Sequence, residues 1–286
     1  MLARAITLRM LLARLIPTLF LCLASVHAAT VKDREGAVRQ DKATMENDAR
    51  WIYNDIDRGF ADAKKSGKPL LVVLRCVPCL SCVGLDAEVL KEPALSPLLD
   101  QYVCVRVINA NALDLSRFQF DYDLSFSTLL FNGDGTLYGR YGSWTHQVDP
   151  EARETLGYRR ALEAGLALHR GYPANRASLA NKQGGATPYK TPVDFPALAT
   201  RYGRELNWKG NVVQSCVHCH QIGEALRSSA RDEGKFLSLD QIYPMPAAET
   251  IGLKLAPDQI ARVTAVTPGS IADKAGLRTG DNLVTL

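Results

Sequence analysis

The sequence has little excess charge. Its 34 Lys and Arg residues against 30 Asp and Glu leave a formal net charge of +4. Part of that excess comes from Arg4, Arg9 and Arg14, close to the first residue. The remainder of the chain is nearly neutral, so a basic surface of the kind that binds nucleic acid is not predicted.

Long apolar runs are also scarce. The one at Leu15–Val26 is interrupted by Pro17 and is shorter than the roughly 20 residues that span a bilayer. With arginines before it and the small residues Ala28 and Ala29 after it, residues 1–28 are predicted to be a secretory signal peptide. We therefore expect a periplasmic or otherwise extracytoplasmic protein that has no membrane span after cleavage.

Cysteine is unevenly distributed. Of seven cysteines, Cys22 falls in the apolar core of the predicted leader. The others are expected to meet an oxidising compartment, where thiols are paired, bound to metal or kept reduced by a partner. Cys104, on a strand rich in β-branched residues, is predicted to be a buried core residue.

Apolar periodicity predicts an α/β sandwich over residues 46–170, after a linker at 29–45. A helix is expected from Glu46, because Trp51, Ile52, Ile56 and Phe60 recur at helical spacing. Leu70–Leu74 reads as a central strand and Tyr102–Ile108 as a second strand. A hairpin (127–131 and 136–141) and a helix (149–169) are expected to follow.

The first cysteine cluster holds two overlapping C-x-x-C pairs, Cys76/Cys79 and Cys79/Cys82. A helix N-terminus lowers a thiol pKa, so a dithiol between a strand and a helix suits disulfide exchange. The order helix, GKP, LLVVL, cysteines, helix, EPALSPLL, strand and FSTLLFNGDGTLYGRYGS resembles the thioredoxin-like fold. The resemblance is closest to the C-terminal domain of the bacterial transmembrane thiol:disulfide interchange reductase.

This resemblance implies catalytic cysteines. The spacing after GKP favours Cys79 as nucleophile and Cys82 as resolving thiol, while the C-V-P-C pair would instead make Cys76 the nucleophile. In the first register Cys76 is a third thiol that traps a disulfide or completes a three-sulfur metal site. A structural disulfide is the plain alternative. Ser127 stands where the family has a cis-proline facing the thiols, and this departure predicts altered reactivity.

The second cluster, within residues 209–244, follows a linker at 171–208 that is rich in Pro, Gly, Ala and Asn. Cys216-Val-His-Cys219-His220 matches the C-x-x-C-H pattern of c-type cytochromes. The match implies haem c bound covalently through Cys216 and Cys219, with His220 as a ligand of the haem iron. Met245 is the candidate distal ligand. Zinc held by Cys216, Cys219 and one or both of His218 and His220 is an alternative, as is a disulfide.

Residues 245–286 resemble the start of a PDZ domain, mainly through V-T-P-G-S-x-A-x-x-A-G-L-x-x-G-D. The resemblance implies that Ile251, Gly252 and Leu253 contribute to a loop that binds the C-terminus of a peptide or protein. The family's second long helix is missing before Leu286, so we expect the sequence to be truncated and the complete protein to bind the peptide.

Taken together, these features predict an extracytoplasmic thioredoxin-like redox protein. It would exchange disulfides with a protein partner recruited through the PDZ-like module, and it would carry haem c. The alternative prediction is a non-enzymatic metal-binding or adaptor protein, in which the cysteine clusters hold zinc or copper.

Overall fold

The structure is a computed structural model and describes residues 33–77, 90, 92–122, 126–142, 154–184, 187–237, 248–256 and 262–283. The predicted leader lies outside these ranges. Within them, no helix is both long enough and apolar enough to cross a membrane.

The first elements alternate helix and strand. Helix α1 spans Arg34–Met45, β1 Trp51–Tyr53, α2 Ile56–Ser66 and β2 Leu70–Arg75. Asp55 begins α2 by accepting a hydrogen bond from the Arg58 amide, and Gly67 ends it with a positive φ of 69°. Gly59 allows α2 to lie close to the sheet, because a Cβ there would sit 2.3 Å from Cγ2 of Val105.

The middle of the chain completes the sheet. A 3-10 turn at Pro93–Leu95 leads into the short helix α3, Ser96–Leu99. Strands β3, β4 and β5 span Val103–Val107, Phe126–Phe131 and Leu137–Tyr141, and the long helix α4 spans Glu154–Arg170. The sheet order is β1-β3-β2-β4-β5, with β1 and β2 parallel to β3 and the β4–β5 hairpin antiparallel. The predicted central strand, second strand and hairpin are confirmed.

Both faces of the sheet are covered, as a run of apolar residues in β2 requires. Leu70, Val72 and Leu74 face a core that includes Phe60 and Ala63 of α2. Leu71 and Val73 face the opposite core, which includes Tyr158, Leu162 and Leu166 of α4. Cys104 of β3 also lies in this second core and is 1% exposed, so its predicted burial is confirmed.

The predicted helix from Glu46 is wrong in its first residues. Trp51–Tyr53 forms the edge strand β1, paired with β3 at Trp51↔Cys104. Trp51 packs in one core and Ile52 against the other, which is the alternation of a strand. Pairing with β3 overrides the local helical spacing of these residues, and the helix begins only at Ile56.

The stretch from 171 to 208 contributes to the same core as the sheet. It contains α5 at Arg176–Leu179, α6 at Pro196–Ala199 and 3-10 turns at Ala180–Lys182 and Pro192–Asp194. Its side chains Phe195, Leu198 and Tyr202 are buried in the cluster that holds Leu70, Val72 and Leu74. A composition rich in Pro and Ala did not predict this packing.

The C-x-x-C-H segment is packed in the same way. A 3-10 turn at Val213–Ser215 precedes helix α7, Cys219–Asp232. Val217, Ile222 and Ala225 belong to the buried cluster of α2 and β2. The segment is therefore part of one hydrophobic core with the α/β sandwich.

The last described residues form a small β unit. After a 3-10 turn at Ala248–Ile251, strands β6 (Leu253–Leu255) and β7 (Val263–Val266) pair antiparallel, and a short helix α8 follows at Ile271–Lys274. Leu253, Val263 and Ala272 form its buried apolar cluster.

Candidate functional site

The end of the central strand β2 opens into a narrow cleft. Cys76 follows Arg75, the last residue of β2, and is partly exposed. The cleft is also lined by the chain after β3 and by the C-x-x-C-H segment; its residues are Leu74, Arg75, Cys76, Val107, Ile108, Ala110, Cys216, Val217, His218 and Cys219. Tertiary structure thus joins one residue of the first cysteine cluster to most of the second.

Cys76 contacts an imidazole across this cleft. Its Sγ lies 3.1 Å from Nδ1 of His218, which is a hydrogen-bonding distance although the two residues are 142 positions apart. The guanidinium of Arg75, only 4% exposed, lines the same cleft. The imidazole can accept the thiol proton, which leaves the reactive thiolate.

Cys216 lines the same cleft and, like Cys76, is partly buried. Its Sγ is 3.5 Å from the carbonyl oxygen of Ile108, at the end of β3. Burial, and to a smaller extent the charge of Cys76, raise the pKa of Cys216 to about 12. Cys216 is therefore a neutral thiol near pH 7 when it is reduced.

Asn111 holds the backbone on both sides of Cys216. Its Nδ2 donates to the carbonyls of Gly203 and Ser215, each at 2.7 Å, and its Oδ1 accepts from the amide of Val217 at 2.8 Å. Asn111 is completely buried. Because all these amide groups are paired in the interior, the position of Cys216 relative to the end of β3 is well determined.

His218 is the N-cap residue of α7. Its amide donates to Oε1 of Gln221, and Nε2 of Gln221 donates to the hydroxyl of Tyr202, both at 2.8 Å. These bonds orient the first turn of α7. They also place the His218 side chain beside Cys76.

Helix α1 binds the segment that leads into the motif. The Glu35 carboxylate accepts from the amides of Val212 and Val213, and Arg39 donates to the carbonyls of Trp208 and Gly210. The ion pair of Asp41 with Arg106 of β3 then fixes α1 to the sheet. The Asp41 carboxylate also accepts from Tyr53, whose pKa is raised by burial and by this carboxylate.

Cys219 and His220 have different surroundings. Cys219, the first residue of α7, packs partly buried against the core of the sandwich. Burial raises the pKa of Tyr122 to about 12, and Cys219 adds to that shift. His220 is exposed, whereas His218 is partly buried at the cleft.

The described surroundings of the motif do not fit a porphyrin. The cleft contains about 20 Å³, which is room for about one water molecule. Across the described ranges, no group of three or more His, Cys, Asp or Glu side chains is arranged to hold a metal ion. We therefore derive no step through haem or zinc, and haem attachment at Cys216, Cys219 and His220 stays a prediction.

Some predicted site residues fall outside the described ranges. These are Cys79 and Cys82, and the distal-ligand candidate Met245. Of the residues predicted to bind a peptide C-terminus, Gly252 has a φ of 85°, and its amide donates to the carbonyl of Glu249 at 3.0 Å. Ile251 ends the preceding 3-10 turn and Leu253 begins β6, opposite Val266.

Ser127, predicted to replace the cis-proline, lies next to the cleft. It is 5% exposed on β4 and pairs with Leu74 of β2, two residues before Cys76. The strand that carries Ser127 is thus hydrogen-bonded to the strand that delivers the first cysteine.

Comparison with known families agrees with this part of the fold. Residues 51–133 match a family model described as thioredoxin-like. These residues form a thioredoxin-like domain with a mixed sheet. The match includes Cys76, Cys79 and Cys82 and ends before α7. No curated protein matches the chain.

Sequence analysis missed two residues of this site. Asn111 stands in Ile-Asn-Ala-Asn-Ala, which carries no motif, and nothing in that stretch indicates three hydrogen bonds to distant backbone groups. The sequence indicates His218 only as a candidate zinc ligand. Its spacing from Cys216 and Cys219 was visible, but its contact with Cys76 depends on the packing of α7.

Proposed function

We propose that the chain is an extracytoplasmic thiol–disulfide exchange protein that acts through the cysteines after β2. The observation that carries the proposal is Cys76, placed at the end of the central strand of a thioredoxin-like domain and 3.1 Å from an imidazole. A thiol with a proton acceptor at this distance is suited to attack a disulfide.

The exchange proceeds in two steps. A thiolate attacks one sulfur of the partner's disulfide, and the other partner sulfur leaves as a thiolate that takes up a proton. The attacking residue is Cys79 in the register that the sequence spacing favours and Cys76 in the C-V-P-C register, which the contact with His218 supports. The second cysteine of the pair, Cys82 or Cys79 respectively, then attacks the mixed disulfide, which releases the second partner thiol and leaves a disulfide between the two cysteines of the chain. Two electrons pass from the dithiol to the partner, and no metal or haem takes part.

The test is reduction of insulin disulfides by the purified chain with dithiothreitol as electron donor. We expect the double variant Cys79→Ser/Cys82→Ser to lose at least a hundredfold in rate. Cys104→Ala, in the opposite core, serves as the control and is expected to keep the rate within about twofold. Full activity in the double variant would refute the proposed function.

The same assay distinguishes the two registers. If Cys82→Ser keeps the rate and Cys76→Ser abolishes it, Cys76 and Cys79 are the reactive pair. If the reverse holds, Cys79 and Cys82 are the pair and Cys76 has another role.

Partner recruitment and export are further parts of the proposal. The resemblance of residues 245–286 to a PDZ domain and the paired strands β6 and β7 support peptide binding near Ile251, Gly252 and Leu253. Fluorescence anisotropy with a peptide carrying a free C-terminal carboxylate, against its amidated form, tests this binding. Cell fractionation and N-terminal sequencing test export, with a mature N-terminus expected at Ala29 or Thr30.

A further inference from the structure

The two cysteine motifs share one cleft although they are far apart in sequence. Cys76, at the end of β2, and Cys216, before α7, both line it, together with His218 and Cys219. Sγ of Cys76 lies 3.1 Å from Nδ1 of His218, and Sγ of Cys216 lies 3.5 Å from the carbonyl oxygen of Ile108, so each sulfur contacts another residue that lines this cleft.

We propose that Cys76 exchanges a disulfide with the Cys216/Cys219 pair of the same chain, so that the C-x-x-C-H motif is an internal redox partner of the thioredoxin-like domain. This inference rests on the proposed function, since it gives that domain an internal disulfide substrate. It also assigns a role to the third thiol of the first cluster.

The step itself rearranges one disulfide bond within the chain. The starting Cys216–Cys219 disulfide is formed beforehand by a disulfide oxidant such as oxidised glutathione, which is released as two thiols. The Cys76 thiolate attacks Sγ of Cys216 in a Cys216–Cys219 disulfide, the Cys76–Cys216 bond forms, and the Cys216–Cys219 bond breaks. Cys219 leaves as a thiolate and takes up a proton. The number of disulfides and the number of thiols stay the same.

The arrangement of α7 suits this direction of attack. Cys216 lies in the extended chain before the helix and faces the end of β3, where it shares the cleft with Cys76. Cys219 is the first residue of a 14-residue helix, where the helix dipole stabilises a leaving thiolate. His218 contacts Cys76 and can take the proton that the attacking thiol loses.

The buried supports keep these sulfurs near each other. Asn111 binds the backbone on both sides of Cys216, and Glu35 binds the turn that precedes it. Val217, between Cys216 and His218, is 1% exposed in the common core. The motif therefore lies on the thioredoxin-like domain through its own packing, as a stable internal substrate requires.

Disulfide mapping of the full chain tests the inference. The protein is equilibrated in glutathione buffers of increasing oxidation, quenched in acid, alkylated and digested with trypsin without reduction. We expect a peptide pair that links 76–91 to 210–227, the tryptic fragments that contain the two clusters. The pair should persist in Cys79→Ser/Cys82→Ser, where Cys76 is the one cysteine left in its fragment.

A matched pair of variants then tests the geometry. Cys219→Ser removes the thiol that can break the Cys76–Cys216 bond again, so this bond, formed here by way of oxidised glutathione, should accumulate. Cys216→Ser keeps a thiol only at Cys219, and its link to Cys76 should form at least tenfold more slowly. Equal rates in the two variants, or no linked pair in either variant and in the wild type, would overturn the inference.

Two further outcomes separate this inference from the alternatives. If the linked pair is absent but Cys216→Ser/Cys219→Ser still reduces insulin, the proposed function stands and the internal exchange is refuted. Native mass spectrometry after zinc addition tests the alternative that these cysteines bind zinc. One bound zinc, with Cys76 and Cys216 protected from oxidation until a chelator is added, would show that these sulfurs hold metal and would also overturn the inference.

Discussion

Single buried side chains determine how the second cysteine motif meets the sheet. Asn111 makes three hydrogen bonds to backbone groups of Gly203, Ser215 and Val217, and it is completely buried. Replacement by an apolar residue leaves these groups without partners in the interior. The cost of each buried unpaired group is about 1–3 kcal/mol.

We therefore expect Asn111→Leu to lower the free energy of unfolding by at least about 3 kcal/mol, measured by urea denaturation. It should also reduce the formation of the Cys76–Cys216 bond. Asn181→Ala, at an exposed position, is the control and should change stability by less than about 0.5 kcal/mol. A stability loss in Asn111→Leu no larger than in the control would contradict the role assigned to this amide.

Cys216 provides a prediction about pH. Its folded-state pKa of about 12, against 9.0 for an ordinary thiol, reflects burial first and the charge of Cys76 second. Alkylation requires the thiolate, so iodoacetamide should label Cys216 about a thousandfold more slowly at pH 8 in the folded protein than in urea. The labelling rate is measured by tandem mass spectrometry. Equal labelling rates of Cys216 in the folded protein and in urea would show that Cys216 is not buried.

The same shift has a consequence for stability. The pKa of Cys216 is raised in the folded state. Its protonated thiol therefore contributes to the free energy of unfolding fully below about pH 9, and this contribution is lost as pH rises toward 12. Stability of the wild type should therefore fall faster above pH 9 than that of Cys216→Ser.

Helix α1 shows how one element connects two parts of the chain. On one side Glu35 and Arg39 bind the segment before the C-x-x-C-H motif, and on the other Asp41 pairs with Arg106 of β3. Both partners of that pair are buried, with Arg106 2% and Asp41 8% exposed. Removal of one partner leaves an uncompensated charge in the interior.

Asp41→Ala is accordingly expected to lower the free energy of unfolding by about 3–5 kcal/mol, measured by thermal or urea denaturation. Asp62→Ala removes a carboxylate from an exposed pair with Arg58 in α2, and should change stability by less than about 1 kcal/mol. Equal effects of the two substitutions would show that the Asp41–Arg106 pair does not hold α1 to the sheet.

At the scale of the whole molecule, helix α7 shares a core with the thioredoxin-like domain. Ile222 is completely buried in the cluster that holds Leu70, Val72 and Leu74 of β2. A shared core makes the two regions unfold as one cooperative unit. The cleft at Cys76 is then completed by a segment beyond the residues that match the family model.

Ile222→Ala should lower the free energy of unfolding of this unit by about 2–5 kcal/mol, with circular dichroism and tryptophan fluorescence reporting the same midpoint. Phe236→Ala, whose side chain is fully exposed, is the control and should leave stability within about 0.5 kcal/mol. Two separate transitions, of which only one responds to Ile222→Ala, would show that α7 folds independently.

Much of the sandwich could be predicted because its signals are local. Leu70–Leu74 is a short apolar run without charge, and a strand covered on both faces needs such a run. The β4–β5 hairpin is indicated by its Asn-Gly-Asp-Gly turn, in which Gly135 takes a φ of 92°. The β1 strand was mistaken for helix, because three residues show no period that distinguishes a paired edge strand from a helical turn.

The sequence by itself determined which chemistry is present: cysteines at disulfide-exchange spacing after a central strand, and a second C-x-x-C pair with histidines beside it. Only the tertiary structure decided that Cys76 meets His218 and Cys216 in one cleft. The reason is physical. Motifs depend on neighbours within a few residues, whereas a contact across 142 positions arises from burying Val217 and Ile222 on the sheet, and no local pattern specifies that packing.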